Sequence, residues 1–303
     1  MLDRAEYKRA DSDFIDTARR DPETRFVVYA GADALLQPTL PIVPLAVLGG
    51  QLHKLGIKIS ESIFLGQEHD APWFAVDIEG AAEAARASLG NCGRFVPLAP
   101  IRDPIAEKTW SILAQGRALL AWNANSRYCS TCGSLTTMCE AGYVRACTDS
   151  TCGALQFPRS DPAIIVRVTN GDRCLLARQP SFPPGLRSVL AGFAEPGESL
   201  EAAVKREVEE EVGLNINHLS YVGSQPWPFP TSLMVGFVAE TAEDKIRIDG
   251  RELESAGWVT RDQIRRQTQD GTLLLPSVKS IARDLIDDWL NAVTAPGFGK
   301  LES

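Results

Sequence analysis

The sequence predicts an α/β protein: a mixed sheet sandwiched between helices, preceded by a small cysteine-built module and an N-terminal α+β region. Three observations carry this expectation. In the second half, apolar runs of strand length alternate with amphipathic stretches of helix length. A loop rich in Gly and Pro feeds one of those helices between Gly192 and Gly213. Four cysteines fall into two close pairs, Cys129-x-x-Cys132 and Cys147-x4-Cys152.

The chain has 303 residues, enough for more than one domain. The expected division is residues 1–122, 123–157 and 158–303. Hydrophobic content of 44% and charged content of 23% are ordinary for a globular protein with a core of normal size. The formal net charge of -8 argues against broad attraction to nucleic acid or anionic membrane, though not against recognition of one nucleotide end. No apolar run is long enough to span a bilayer, and the first ten residues carry no apolar signal core. The expectation is a cytoplasmic protein with no membrane partner.

In the N-terminal region, strands are expected at Phe26 to Ala30, Val43 to Leu48, Ser62 to Gly66 and Trp73 to Ile78. A short helix is expected at Ala81 to Leu89, and a longer one between Ile105 and Trp122. Further on, Ala163 to Thr169 reads as a continuous apolar strand. Arg173 to Arg178 returns beside it across Asn170-Gly171-Asp172, a hairpin turn. Ser188 to Ala191, His218 to Gly223, Leu233 to Glu240 and Glu254 to Val259 are further strands. Leu275 to Leu290 reads as a closing amphipathic helix.

Seven cysteines in a chain of cytosolic character point to metal rather than disulfides. Cys129, Cys132, Cys147 and Cys152 form two knuckles, each able to present two thiolates, which together complete a tetrahedral zinc site. Such a site is closed and structural. It holds a subdomain with too few apolar residues to fold alone. Cys139 has no assigned partner, and Cys92 and Cys174 are expected to be buried small hydrophobes.

Between Ser199 and Gly213, Leu200, Ala203, Val204, Glu207, Val208 and Glu211 recur at the spacing of the inward stripe of a helix. Ser199 suits the N-cap and Gly213 the C′ position. Glu207 and Glu211 therefore point where apolar side chains belong, and Glu210 lies beside them. Buried like charges are costly, and a divalent cation would resolve both the burial and the repulsion. Oxygen-only ligands favour magnesium or manganese over zinc. Arg206 can reach back to Glu198 and hold the loop over this face.

Gly192, Glu198, Arg206, Glu207, Val208, Glu210, Glu211, Gly213 and Leu214 fill every fixed position of the Nudix box, so the chain resembles the Nudix hydrolases. Downstream, Gln225-Pro226-Trp227-Pro228-Phe229-Pro230-Thr231-Ser232 alternates Pro with aromatics. Proline fixes an extended backbone and presents Trp227 and Phe229 rigidly. On the residues alone, two readings stay open: a face for stacking a base, or aromatics that cover the core. Together with the four-cysteine segment, this motif resembles the NADH pyrophosphatase branch of the family, over about Trp122 to Ala282, with a weaker match at Phe64-Leu65-Gly66.

The resemblance implies a Nudix α/β/α sandwich preceded by a zinc ribbon and a degenerate N-terminal copy of the catalytic domain. It implies hydrolysis of the pyrophosphate of NADH or NAD to nicotinamide mononucleotide and AMP, and removal of NAD caps from RNA 5′ ends. Metal ligands would fall on the Ala191 carbonyl, Glu207, Glu211 and Glu252, the last within Asp249-Gly-Arg-Glu252 before Trp258. Substrate contacts would fall on Phe157, Phe193, Gln225 through Ser232, and Ala282. Glu207 or Glu210 would take the proton from water. The branch commonly carries Tyr where Phe157 stands, so a hydroxyl contact is lost while stacking survives. The second knuckle is Cys-x4-Cys in place of Cys-x-x-Cys. A homodimer is implied, with Phe157 reaching the neighbour's site. The rival expectations are another nucleoside diphosphate substrate such as ADP-ribose, and a non-catalytic nucleotide or RNA sensor.

Overall fold

Two compact units divide the chain: residues 1–160 with 226–232, and residues 161–225 with 233–303. The structure, a computed structural model, describes residues 2–37, 39, 42–98, 105–248 and 250–292. The cysteine module groups with the first unit, and so does most of the Pro-aromatic segment.

After a 3-10 turn at Glu6–Lys8, the first unit forms helix α1 (Ser12–Arg20), whose N-cap Asp11 accepts from the Phe14 amide and whose Ile15 and Ala18 are buried. Its sheet contains β1 (Arg25–Ala30), β2 (Asp33–Leu36), β3 (Ala46–Leu48), β4 (Ile63–Glu68), β5 (Ala71–Asp77) and β6 (Arg94–Pro97). Their order is β4-β5-β1-β2-β6, with β3 beside β1. The sheet is mixed, because β1 runs parallel to β5 and antiparallel to β2 and β3. Helices α2 (Gly49–Lys54), α3 (Glu83–Gly90) and α4 (Glu107–Asn125) complete this part. Helix α4 lies close on the sheet because Gly116 leaves room for Tyr29: a Cβ there would stand 2.7 Å from the phenol oxygen. That hydroxyl donates to the Leu113 carbonyl at 2.8 Å, and burial raises its pKa. Three short strands, β7 (Thr136–Cys139), β8 (Val144–Cys147) and β9 (Leu155–Gln156), make the cysteine module's own sheet.

The second unit contains β10 (Asp161–Asn170), β11 (Arg173–Arg178), β12 (Leu190–Phe193), α5 (Leu200–Val212), β13 (His218–Trp227) as far as Gln225, β14 (Ser232–Glu240) from Leu233, β15 (Ser255–Thr260), α6 (Arg261–Gln269) and α7 (Ile281–Asn291). Its strand order is β13-β14-β10-β11-β15, with β12 beside β10. Strand by strand this repeats the first unit's order, so the duplication that leaves no clear sequence repeat is plain in the topology. Where the second unit carries the acidic helix α5, the first carries the short α2, Gly-Gly-Gln-Leu-His-Lys.

Strand β10 reads as one apolar run because both of its faces are covered. Ile164, Val166 and Val168 meet Ala203, Val204, Val208 and Val212 of α5, while Ile165 meets the layer of Leu285, Ile286 and Trp289 from α7. Burying each such side chain contributes roughly 1.5–3 kcal/mol.

Several elements differ from expectation. The closing helix begins at Ile281, not Leu275, because Pro276 interrupts the run and Ser280 caps the helix by accepting from the Arg283 amide at 3.2 Å. The strand expected from Val43 covers only Ala46–Leu48. Strand β13 runs on to Trp227. Helices α1, α2 and α6 and strands β2 and β6 were not expected. Cys174 is buried, but Cys92 is exposed at the end of α3, so the expectation of burial holds for one of the two.

Candidate active site

The site grows out of the turn from β12 into α5. Ser199 caps α5 by accepting from the Ala202 amide at 3.2 Å, and Gly213 closes it in the left-handed region at φ 67°. Between these ends the apolar stripe is forced inward, and it carries Glu207 and Glu211 with it. They are only 7% and 3% exposed. Glu207 lies against the backbone of β12, where a Cβ on Gly192 would stand 2.0 Å from its carboxyl carbon. Burial pushes the Glu207 carboxyl above the usual range. Arg206 opposes that shift, and the charges of Glu210 and Glu252 reinforce it.

Arg206 is the hub of the loop. It bonds both carboxylate oxygens of Glu198, at 2.6 and 3.2 Å, and the Phe193 carbonyl at 2.9 Å. It also bonds Glu207 at 2.9 Å and Glu210 at 3.0 Å. Glu198 additionally accepts from the Glu195 amide at 2.6 Å. The Arg206 guanidinium holds the Glu198 carboxyl below its ordinary pKa. The expected pairing of Glu198 with Arg206 is present, and its reach to Phe193 and Glu210 was not expected.

The donor set fits a hard divalent cation. It offers carboxylate oxygens buried four residues apart on one helix face, beside a backbone stripped of its Cβ at Gly192. Glu252 is exposed and acts electrostatically on Glu207; Asp249 lies outside the described residues. Ala191 is half-buried on β12, and Phe193 is 60% exposed at its end. All three histidines, His53, His69 and His218, are exposed.

The four module cysteines also fit their expected metal. Their Sγ atoms all lie within 4.8 Å of one another, with Cys129 to Cys152 at 3.8 Å and Cys132 to Cys147 at 3.4 Å. Thiolates about 2.3 Å from a tetrahedral zinc would stand about 3.8 Å apart. The knuckle amides of Cys132 and Thr131 lower the Cys129 thiol to about 6. Cys139 is not in the cluster.

The Pro-aromatic segment is not extended throughout. It is strand to Trp227 and then turns, with the Phe229 amide donating back to the Trp227 carbonyl at 2.8 Å. Trp227 and Phe229 meet edge to face at 5.4 Å, and Phe229 leans on Trp110 of α4 at 6.2 Å. Pro228 is buried, Thr231 and Ser232 are half-buried, and Pro226 and Pro230 are exposed. Gln225 turns its carboxamide to the start of α7, where Ala282 is buried in the first turn. Phe157, just past β9, is 60% exposed. Sequence reasoning missed the partners of Gln225 and Phe229. The former are backbone atoms that no side-chain pattern advertises; the latter is an aromatic in a helix with no motif.

Two family profiles match the chain: "NUDIX domain" over residues 159–277, and "NADH pyrophosphatase-like rudimentary NUDIX domain" over residues 23–122. The chain is 35% identical over 342 aligned positions to the human NAD-capped RNA hydrolase NUDT12, covering 96% of this chain and 72% of that protein. It is 36% identical to the mouse mitochondrial NAD(P)H pyrophosphatase NUDT13, covering 88% and 84%. It is 35% identical to the NAD-capped RNA hydrolase NudC of Mycobacterium bovis, covering 93% of each.

Proposed function

The chain belongs to the Nudix hydrolases, in their NADH pyrophosphatase branch, and we propose that it cleaves the pyrophosphate of NADH and NAD and removes NAD caps from RNA 5′ ends. The products are AMP, or RNA with a 5′ monophosphate, and reduced or oxidised nicotinamide mononucleotide. One observation carries the hydrolytic reading: α5 buries two carboxylates, Glu207 and Glu211, on one face, with Glu207 against the bare backbone of Gly192.

Glu207, Glu211, Glu252 and the Ala191 carbonyl would hold magnesium or manganese, supported by their hard oxygen donors. When bound, such ions neutralise pyrophosphate charge and acidify a water. The remaining work belongs to the chain. A carboxylate, Glu210 or Glu207, accepts the proton of the water that attacks phosphorus, as the bond to the bridging oxygen breaks. Arg206 orients Glu207 and Glu210 by bonding both, while Glu198 fixes Arg206. Phe193 and Phe157, exposed aromatics, offer faces to the bases, and the family resemblance adds Pro226 through Ser232 and Ala282 as substrate contacts. Zinc on Cys129, Cys132, Cys147 and Cys152 is structural, as the closed cluster suits.

The reading extends to a cytoplasmic homodimer. All seven cysteines are free, and Phe157, which the family resemblance assigns to a neighbour's site, is exposed. Among the described residues, no helix is long and apolar enough to cross a membrane. The deciding experiment supplies NADH with magnesium or manganese and resolves the products. AMP and reduced mononucleotide in equal amounts support the reading; intact NADH with both metals would refute it.

A further inference from the structure

Strand β13 and helix α7 are joined by one side chain. Gln225 Nε2 donates to the Lys279 carbonyl at 3.1 Å, and its Oε1 accepts from the Ile281 amide at 3.0 Å. These partners flank Ser280, which is buried and caps α7 from within the same turn. The first amides of a helix have no intrahelical acceptor. Ile281 is the first residue of α7, so Gln225 acts as an additional cap delivered from another element. A carboxamide bonded at both its donor and acceptor ends is fixed in orientation. A second contact seats the same turn. On β14, a Cβ at Gly236 would stand 2.6 Å from Ile281 Cδ1, so the helix start approaches that strand as closely as glycine allows.

We propose that Gln225 is a positioning residue for dinucleotide recognition: its carboxamide bolts the first turn of α7, and Ala282 within it, to the end of β13. The inference rests on the proposed reading that Ala282 lies against the dinucleotide. It assigns Gln225 an action through the helix in place of a contact with the base. The Gln225 bonds are internal to the protein and hold before substrate arrives, so α7 meets every dinucleotide in the same place.

The test uses the full chain with Gln225→Ala and Ser280→Ala, the second loosening the same turn without touching β13. Amide hydrogen exchange is read first, in the absence of substrate. Gln225→Ala should speed exchange at Ile281 by at least about tenfold, while the amides of α5 keep their protection. KM for NADH, NAD and ADP-ribose should then rise by a common factor of about tenfold, with kcat nearly unchanged, and Ser280→Ala should reproduce that rise. Gln225→Glu keeps the acceptor for the Ile281 amide and should restore its protection. Unchanged exchange in Gln225→Ala would overturn the proposal. So would a KM rise confined to one substrate, or one that Ser280→Ala fails to reproduce. The exchange readout stands whether or not NADH is cleaved, and product formation by the unaltered chain tests the activity separately.

Discussion

Gly192 and Glu207 claim the same volume: a Cβ on the glycine would overlap the carboxylate, with its atoms 2.0 to 2.3 Å away. The glycine is held in β12 by its pairing with Ile164, so it cannot retreat. Glu207 would have to swing off its present rotamer and out of its place beside Arg206. Gly192→Ala should therefore cost about a hundredfold in kcat, the loss expected from a displacement near 1 Å in a catalytic group. Thermal unfolding should shift little, because the clash falls on one side chain and not on the apolar layer beneath α5. An alanine variant with full activity would show that Glu207 works from another position.

Glu211 is the more deeply buried of the two acids, at 3% exposure. Replacing it with Gln preserves shape and removes charge. If it helps to hold the cation, Glu211→Gln should reduce turnover about a thousandfold, equivalent to several kcal/mol of lost charge stabilisation. The same change removes a buried carboxylate, so the variant should unfold no earlier than the parent. Turnover on NADH and a melting curve, measured together, separate loss of chemistry from loss of fold.

The ion pair of Glu198 with Arg206 makes the box acid-sensitive. The Glu198 pKa is lower in the folded chain than in the unfolded one, because Arg206 holds the charged form. The stabilisation is therefore complete above the unfolded carboxylate range, near about 4.3, and fades as pH falls through the folded value. Glu198→Gln should be less stable than the parent at pH 7, and the gap should close on acidification below about pH 4. Urea midpoints across that range give the answer; a gap independent of pH would assign the loss to packing.

Much of this site could be read directly from the residues, for a local reason. The N-cap at Ser199, the left-handed close at Gly213 and the inward register of Glu207 and Glu211 all follow from periodicity within one helix. The cysteine cluster was legible because tight knuckles leave few ways to place four thiols. Legibility failed where distant segments decide. Nothing near Gln225 announces that its partners are the backbone of Lys279 and Ile281. Phe229 is half-buried and leans on Trp110, a contact with a distant helix that the Pro-aromatic pattern does not announce. Helix α2 is only six residues long and opens on two glycines, which propensity disfavours; Leu52 holds it by burial in the core. The unexpected strands β2 and β6 are four residues each and pair with one another, so neither offers a long alternation.

Zinc should stabilise more than its own module. Between β7 and β8 the chain makes a tight turn at Glu140, Ala141 and Gly142, with positive φ at all three. Ala141 is buried in the same cluster as Phe64 and Phe74 of the first unit, and a Cβ on Gly142 would stand 2.8 Å from Ile63. Asn123 of α4 donates to the Gly142 carbonyl at 2.9 Å, and Gln115 bonds the Tyr143 hydroxyl at 2.6 Å. The turn is thus a plug in the first unit's core, while β7 and β8, the strands that present it, run into the metal knuckles at Cys147. Freeing the four thiolates removes the cross-link that holds these short strands and exposes the apolar groups under the turn. Chelation, or Cys152→Ser, should therefore lower the first unit's unfolding temperature by about 10 °C, as a loss of several kcal/mol would. Calorimetry with and without added zinc measures it, and metal analysis should find one zinc per chain before chelation. If the melting temperature holds while the zinc is lost, the ribbon's sheet stands without its metal and the plug is carried by packing alone.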